Sequence, residues 1–224
     1  GEVSGVKNKI ILCFNRIFPV VFRLQFQSVF SGAHSGKLLF EVRLQACYKI
    51  GAAIVPTNPM YTVPELTHQF ADSESTIVFA EDRFAGKVME IMKSGKTVIK
   101  YLFILDSHTG TPEIKGENIK NYPELLLMGE AGEPDIEVKS EDLAMLQYTG
   151  GTTGLSKGCM LSNFNLEAMA WQDTVWFSPP YEKPEDMRIM CAMPLYHIYG
   201  FNTSVNINMV AGGNIIIVNG PTPD

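Results

Sequence analysis

Short apolar runs that alternate with segments of helical periodicity are the feature that most constrains the fold of this chain. TIVFA (76–80) and YLFIL (101–105) are apolar runs of strand length, and Phe84, Val88 and Ile91 repeat at helical spacing between them. A strand, a helix and a further strand in this order favour parallel pairing, because parallel strands need a long crossover connection. We therefore predict an α/β fold, with a doubly wound, mainly parallel sheet and helices on both faces.

The same alternation continues on both sides of these two runs. Residues 106–141 interrupt it, because they are polar and rich in Gly and Pro, which favours a surface excursion. Upstream, AAIV (52–55) is a strand candidate, and Thr62 with Glu65 forms a capping-box pair at the start of a helix. Downstream, the sequence predicts strands in LAMLQY (143–148), IMCAM (189–193) and NIIIV (214–218), with helices over 163–177 and near 200–211.

Composition excludes two broad classes of protein. An apolar share of 46% with 19% charged residues is typical of a chain that buries a core, not of a disordered one. The net charge of −6 argues against nucleic acid as a partner, because phosphate binding needs a basic surface. The charge is uneven: residues 1–50 hold seven Lys or Arg and two Asp or Glu, and the rest is acidic.

The expected location follows from the cysteines and from the longest apolar stretch. Four widely separated cysteines without a CxxC pair are typical of a reducing compartment, which favours a cytoplasmic protein. Arg16 and Arg23 interrupt the apolar stretch 10–30, so it lacks the charge-free span of about 20 residues that crosses a bilayer. No histidine spacing typical of zinc sites occurs, and we predict no bound transition metal.

The densest Gly and Thr run of the protein, YTGGTTGLSKG, spans residues 148–158 and is called the Gly/Thr segment below. Its glycines allow successive backbone N–H groups to approach an anion, its threonine hydroxyls add donors, and Lys157 adds a positive charge. The segment follows a predicted strand directly. A polyphosphate is the ligand that this composition favours over a glycine loop without a ligand.

Other motifs fit the Gly/Thr segment less well. It lacks the GK[ST] ending of a Walker loop, and Thr149 occupies the first glycine position of GxGxxG. GLSKG matches the GxSxG elbow of α/β-hydrolases, with Ser156 as nucleophile, and Asp173 or Asp186 and then His197 follow in the required order. An elbow, however, lies directly between a strand and a helix, whereas Ser156 is six residues before the expected N-cap Ser162. We rank the hydrolase below the phosphate-binding loop.

The Gly/Thr segment closely resembles the phosphate-binding signature of the AMP-forming adenylating enzymes, the superfamily of acyl-CoA synthetases, luciferases and adenylation domains. The resemblance extends upstream to GAAIVPTNPMYTVPELTHQFADS, including Asn58-Pro59, Tyr61 and Glu65, and downstream to MPLYHIYG (193–200). Three motifs in the family's order cover the chain from about Phe40 to its end. The closest likeness is to long-chain fatty acyl-CoA synthetases.

This resemblance implies a two-step acid–thiol ligase. A carboxylate attacks the α-phosphorus of ATP to give an acyl-adenylate and pyrophosphate, and coenzyme A then takes the acyl group. The implied ligands of the departing phosphates are Thr149, Gly150, Gly151, Thr152, Thr153, Gly154 and Lys157, with Thr153 also at the Mg²⁺.

The resemblance also implies catalytic roles for Lys157 and His197. Lys157 would stabilise the charge that develops on the phosphates. His197, with Tyr196 and Tyr199, would stand near the acyl pocket and orient the carboxylate. Judged by its local sequence alone, His197 is better explained as a hydrogen-bonded core residue, because a lone histidine in an apolar setting is usually one.

The resemblance divides the chain into a poorly matched segment, 1–39, and an incomplete AMP-binding large domain, 40–224. Signatures that hold adenine and ribose in the family, and its small C-terminal domain, have no counterpart here, so we expect negligible ligase activity from this chain alone. A fatty acid is the preferred carboxylate. An aryl- or amino-acid-activating enzyme and a non-catalytic phosphate-binding module remain alternatives, and peripheral membrane association and oligomeric state stay open.

Overall fold

The computed structural model describes residues 46–105, 116–121, 124, 135–150, 154–177, 183 and 186–217. Residues 46–49 are helical and precede the first regular strand and helix pairs. Among the helices in these ranges, none combines the length and apolar character needed to cross a bilayer.

The first α/β unit contains two helices and a parallel sheet of three strands. Helix α1 spans Val63–Asp72, strand β1 spans Ile77–Glu81, and helix α2 spans Asp82–Lys93. Strand β2 (Tyr101–Leu105) lies between β1 and β3 (Ile119–Asn121), and both pairings are parallel. The prediction of a parallel sheet is confirmed here.

A capping box starts helix α1, as the sequence predicts. The Glu65 carboxylate accepts hydrogen bonds from the Thr62 backbone N–H at 2.7 Å and from the Thr62 hydroxyl at 2.6 Å. These two hydrogen bonds lower the pKa of Glu65. The box fixes where α1 begins, and therefore which of its side chains face the rest of the fold.

The middle of the chain forms an antiparallel hairpin followed by a long helix. Strand β4 spans Leu143–Thr149 and pairs with β5, Lys157–Ser162. Helix α3 follows at once, over Asn163–Phe177, and the Ser162 hydroxyl accepts a hydrogen bond from the Asn165 N–H at 3.2 Å. On its other side β4 receives a parallel bridge from Ile54 to Met145.

The last described part is a second parallel pair with a helical crossover. Strand β6 (Arg188–Cys191) pairs with β7 (Asn214–Ile217). Between them lie α4 (Ile198–Phe201), a π-helical turn (Asn202–Asn206) and α5 (Ile207–Ala211). This segment corresponds to the apolar helix predicted near 200–211.

Two main apolar clusters stabilise these units. The first joins α1 and α2 to β1 and β2, with Leu102 and Ile91 fully buried at its centre. The second lies beneath the β4–β5 hairpin and joins β4, α3, β6 and the helical crossover. Its buried members are Ala144, Met145, Leu166, Cys191, Leu195, Phe201, Val205 and Ile215.

The structure departs from the predicted elements in three places. AAIV forms only the bridge at Ile54, because a single pair of backbone hydrogen bonds joins it to β4. Strand β3 lies within the predicted surface excursion, and much of the rest of 106–141 is outside the described residues. Residues 157–162, predicted as part of a loop, form strand β5.

We predict that Leu102→Ala destabilises the first α/β unit by about 2–5 kcal/mol, because it removes a fully buried side chain and leaves a cavity. Val98→Ala is the matched control, since Val98 is 51% exposed and its truncation should change stability by less than about 0.5 kcal/mol. Urea unfolding followed by far-UV circular dichroism measures both. Equal unfolding midpoints for the two variants would contradict this account of the core.

Candidate functional site

The described residues of the Gly/Thr segment, 148–150 and 154–158, lie at the ends of β4 and β5 where the hairpin turns. Thr149 and Lys157 are the last cross-strand pair before the chain turns, and both residues are exposed. Directly opposite residues on an antiparallel pair project from the same face, so the Thr149 and Lys157 side chains leave the same face of the hairpin. Among the described residues, the Lys157 side chain has no hydrogen-bond or ion-pair partner, which leaves its charge available to an anion.

The next pair along the hairpin, Tyr148 and Gly158, faces helix α1. The Tyr148 hydroxyl donates a hydrogen bond of 2.5 Å to the Asp72 carboxylate. Burial, then this hydrogen bond and the negative charge of Asp72, raise the pKa of Tyr148 well above its ordinary value, so the hydroxyl stays protonated as a donor. Gly158 leaves room for this ring, because a Cβ atom there would lie 3.0 Å from it and the ring would have to shift.

Helix α1 also contacts the other strand of the hairpin. The Nε2 atom of His68, one turn before Asp72, lies 2.9 Å from the carbonyl oxygen of Ser156 and donates to it. The Ser156 carbonyl belongs to the peptide group that leads into Lys157. One helix face therefore holds both strands that carry the Gly/Thr segment.

His197 lies at the start of helix α4 and is exposed. Its Nδ1 atom accepts a hydrogen bond from the Tyr199 backbone N–H at 3.2 Å, so it caps the helix. A ring that accepts at Nδ1 carries the proton of its neutral form on Nε2. The side chain is thus not a core histidine, and it presents an N–H donor away from the helix.

Gln147 connects the Gly/Thr segment to the His197 region. Its side-chain Nε2 atom donates to the Tyr196 carbonyl at 3.4 Å, and Gln147 is 8% exposed. Gln147 immediately precedes Tyr148 in β4, and Tyr196 immediately precedes His197. Two motifs that are about 40 residues apart in sequence therefore lie against each other.

An apolar cleft of about 470 Å³ opens between the end of α3, strand β6 and the start of the helical crossover. Its lining includes Phe177 at the end of α3, Ile189 in β6, Met193, Tyr199 and Thr203. Tyr199 also donates its backbone N–H to His197, so the cleft begins next to that imidazole. A cleft whose walls are mainly apolar suits the apolar part of a ligand.

The described residues include five of the predicted site residues: Thr149, Gly150, Gly154, Lys157 and His197. Gly151, Thr152 and Thr153 lie outside the described residues. The predicted site residues did not include His68, Asp72 or Gln147. Each of these acts through a partner 49 to 88 residues away in sequence, and no local pattern signals such contacts.

The hydrolase hypothesis fails on local geometry. Ser156 leads from the hairpin loop into strand β5, so it does not occupy a sharp turn between a strand and a helix. Asp173, one of the proposed acids, lies within α3, and burial raises its pKa, which disfavours the carboxylate that a triad requires.

We predict that Gly200→Ala destabilises the turn that presents His197, because its Cβ atom would lie 2.5 Å from the Pro194 carbonyl oxygen. Relief requires a backbone shift, and we expect a loss of about 1–3 kcal/mol. Gly86→Ala in helix α2 is the control, since no atom lies within 4 Å of the added Cβ and alanine should stabilise the helix by about 0.5–1 kcal/mol. Thermal unfolding of both variants checks the opposite signs, and a stabilised Gly200→Ala protein would contradict the geometry.

Comparison with known proteins identifies the family to which this chain belongs. The model of the family described as AMP-binding enzyme matches residues 40–224. The chain is 31% identical to 4-coumarate-CoA ligase 1 of Narcissus pseudonarcissus over 75% of its own length and 29% of that protein. It is 28% identical to the long-chain-fatty-acid–CoA ligase of Salmonella typhimurium over 82% of its length and 36% of that protein. The chain thus spans about a third of the curated relatives it matches.

A solved structure gives the same fold. The crystal structure of a long-chain-fatty-acid-CoA ligase from Archaeoglobus fulgidus superposes with a TM-score of 0.66 at 24% identity, over 94% of this chain and 40% of that one. The fold is therefore that of the adenylating enzymes, present here as a partial domain. With a family match over residues 40–224, the chain belongs to the AMP-binding enzyme family.

Proposed function

We propose that this chain supplies the phosphate-binding part of an acid–CoA ligase that activates a fatty acid with ATP. The observation that carries the proposal is the pairing of Thr149 with Lys157 at the mouth of the hairpin, beside the His197 region. A hydroxyl and a cation on the same face of the hairpin can together bind a polyphosphate. In this proposal, the imidazole N–H of His197 donates to the reacting carboxylate.

In the proposed first step, a carboxylate oxygen forms a bond to the α-phosphorus of ATP as the bond to pyrophosphate breaks. Negative charge grows on the departing phosphates, and Lys157 stabilises it together with the backbone N–H groups of Gly150 and Gly154. Thr149 donates a hydroxyl to the same oxygens. Thr153 would hold a Mg²⁺ ion, which would supply positive charge to the phosphates.

His197 holds the carboxylate in this proposal. Its Nδ1 atom is committed to the Tyr199 N–H, which leaves the Nε2 proton to donate to one carboxylate oxygen. The other oxygen is then free to attack phosphorus. This contact would accelerate the reaction by orientation, since the carboxylate and the α-phosphorus are held in line before the bond forms. In the second step, the thiol of coenzyme A displaces AMP from the acyl group.

The apolar cleft supports a fatty acid as the carboxylate. Its walls are formed mainly by Phe177, Ile189, Met193 and Tyr199, which suit an acyl chain. One relative is named for long-chain fatty acids, which favours this class. An aryl acid is the second candidate, because aromatic rings line the cleft and another relative is named for 4-coumarate.

We predict that Lys157→Met lowers carboxylate-dependent pyrophosphate–ATP exchange by about 10²–10³-fold, because it removes a charge aimed at the departing phosphates. The measurement uses the natural protein that contains this chain, with a panel of fatty, aryl and amino acids. Lys93→Met is the control, since Lys93 is an exposed cation at the end of α2.

Exchange supported best by fatty acids confirms the proposal, and exchange supported best by aryl or amino acids assigns the alternative ligase. Binding of magnesium ATP without exchange for any acid would favour a non-catalytic phosphate-binding module. Unchanged exchange in Lys157→Met would remove Lys157 from the mechanism.

We predict that two substitutions separate the capping role of His197 from its catalytic role. His197→Asn keeps a side-chain oxygen that can cap α4, so its stability should stay within about 0.5 kcal/mol of wild type, while adenylation falls about tenfold or more. His197→Ala should lose adenylation and also about 1 kcal/mol of stability. Exchange kinetics and thermal unfolding are measured in parallel. Full exchange activity in His197→Asn would show that His197 only caps the helix.

A further inference from the structure

Helix α1 contacts the two sides of the Gly/Thr segment through two side chains that lie outside the segment. His68 and Asp72 are four residues apart, so they project from the same face of the helix. His68 contacts the β5 side of the loop at Ser156, and Asp72 contacts the β4 side at Tyr148. The two contacts therefore fix both ends of the loop from one rigid element.

The His68 contact acts on the backbone that orients Lys157. The Ser156 carbonyl and the Lys157 N–H belong to one peptide group, which is planar. A hydrogen bond of 2.9 Å to that carbonyl fixes the plane of the group, and hence the direction in which the Lys157 side chain leaves the strand. Lys157 itself is exposed and has no partner among the described residues that would hold it.

The Asp72 contact acts on the opposite strand. Successive side chains of a strand project from opposite faces. When Asp72 holds Tyr148 toward α1, the next residue, Thr149, must project from the face away from the helix, as must its cross-strand neighbour Lys157. The helix thus determines which face of the hairpin carries the phosphate-binding groups.

We propose that His68 is a positioning residue for phosphate binding, which acts by holding the Ser156–Lys157 peptide group, with Asp72 as its partner on Tyr148. This inference rests on the proposed function of the Gly/Thr segment. His68 does not touch ATP in this account. Its loss weakens interactions with the phosphates and leaves the interactions with the acid unchanged.

The test uses two substitutions at His68 in the natural protein that contains this chain. His68→Leu removes the donor, whereas His68→Gln keeps a side-chain N–H that can reach the same carbonyl. We expect His68→Leu to raise the KM for ATP and the Kd for magnesium pyrophosphate about three- to tenfold, with the KM for the acid changed less than about twofold. His68→Gln should restore both values to within about twofold of wild type.

Thr62→Ala is the control for a general effect on the helix. It removes the capping box at the start of α1 but touches neither strand of the hairpin. We expect it to lower the unfolding midpoint without raising the KM for ATP. Equal effects of Thr62→Ala and His68→Leu on that KM would show that His68 acts only through helix stability, and would overturn the proposal.

The outcomes separate this inference from the proposed function. If wild-type protein binds no magnesium pyrophosphate and forms no adenylate, the proposed function and the role of His68 are both overturned. Suppose that wild-type protein binds magnesium pyrophosphate and forms the adenylate, and that His68→Leu has the same KM for ATP and Kd for magnesium pyrophosphate. Only the proposed role of His68 is then overturned. A parallel rise in the KM for ATP and for the acid in His68→Leu would also overturn it, because the loss would then not be specific to the phosphates.

Discussion

The antiparallel pairing of β4 with β5 is the constraint on which the rest of the site depends. It brings the two ends of the Gly/Thr segment together and places Thr149 opposite Lys157. Without this register, the glycines and threonines would form a loop with no fixed position for the cation that terminates it. A one-residue slip would move Lys157 to the opposite face of the hairpin, toward helix α1.

Three parts of the fold keep that hairpin in place. Beneath it, Met145 of β4 is fully buried in the cluster that includes Leu166 of α3 and Phe201 of α4. To one side, α1 contacts both strands through His68 and Asp72. To the other, Gln147 joins β4 to the residue before His197. The same strand therefore carries the phosphate-binding segment and connects it to the helix start where the carboxylate is proposed to bind.

Local patterns predicted much of this fold, and their failures have physical reasons. The sequence predicted helix α3 over 163–177 and strands β1 and β2 closely, because apolar spacing and capping residues mark them. Strand β5 (KGCMLS) was missed because most of its residues are exposed or half-buried, so no apolar alternation marks it. Composition likewise indicated an anion site at Lys157. The contacts of His68 and Asp72 with the hairpin could not be predicted, because they join residues 88 and 76 positions apart in the sequence.

The most direct measurement of the central claim is a titration of the isotopically labelled protein with magnesium pyrophosphate, followed by backbone amide NMR. The account predicts that the largest shifts occur at Thr149, Gly150, Gly154 and Lys157, with smaller changes at residues 196–199 and none at exposed residues of α2 such as Lys93. Large shifts confined to residues outside the hairpin, or no saturable shift at the Gly/Thr segment, would contradict the account.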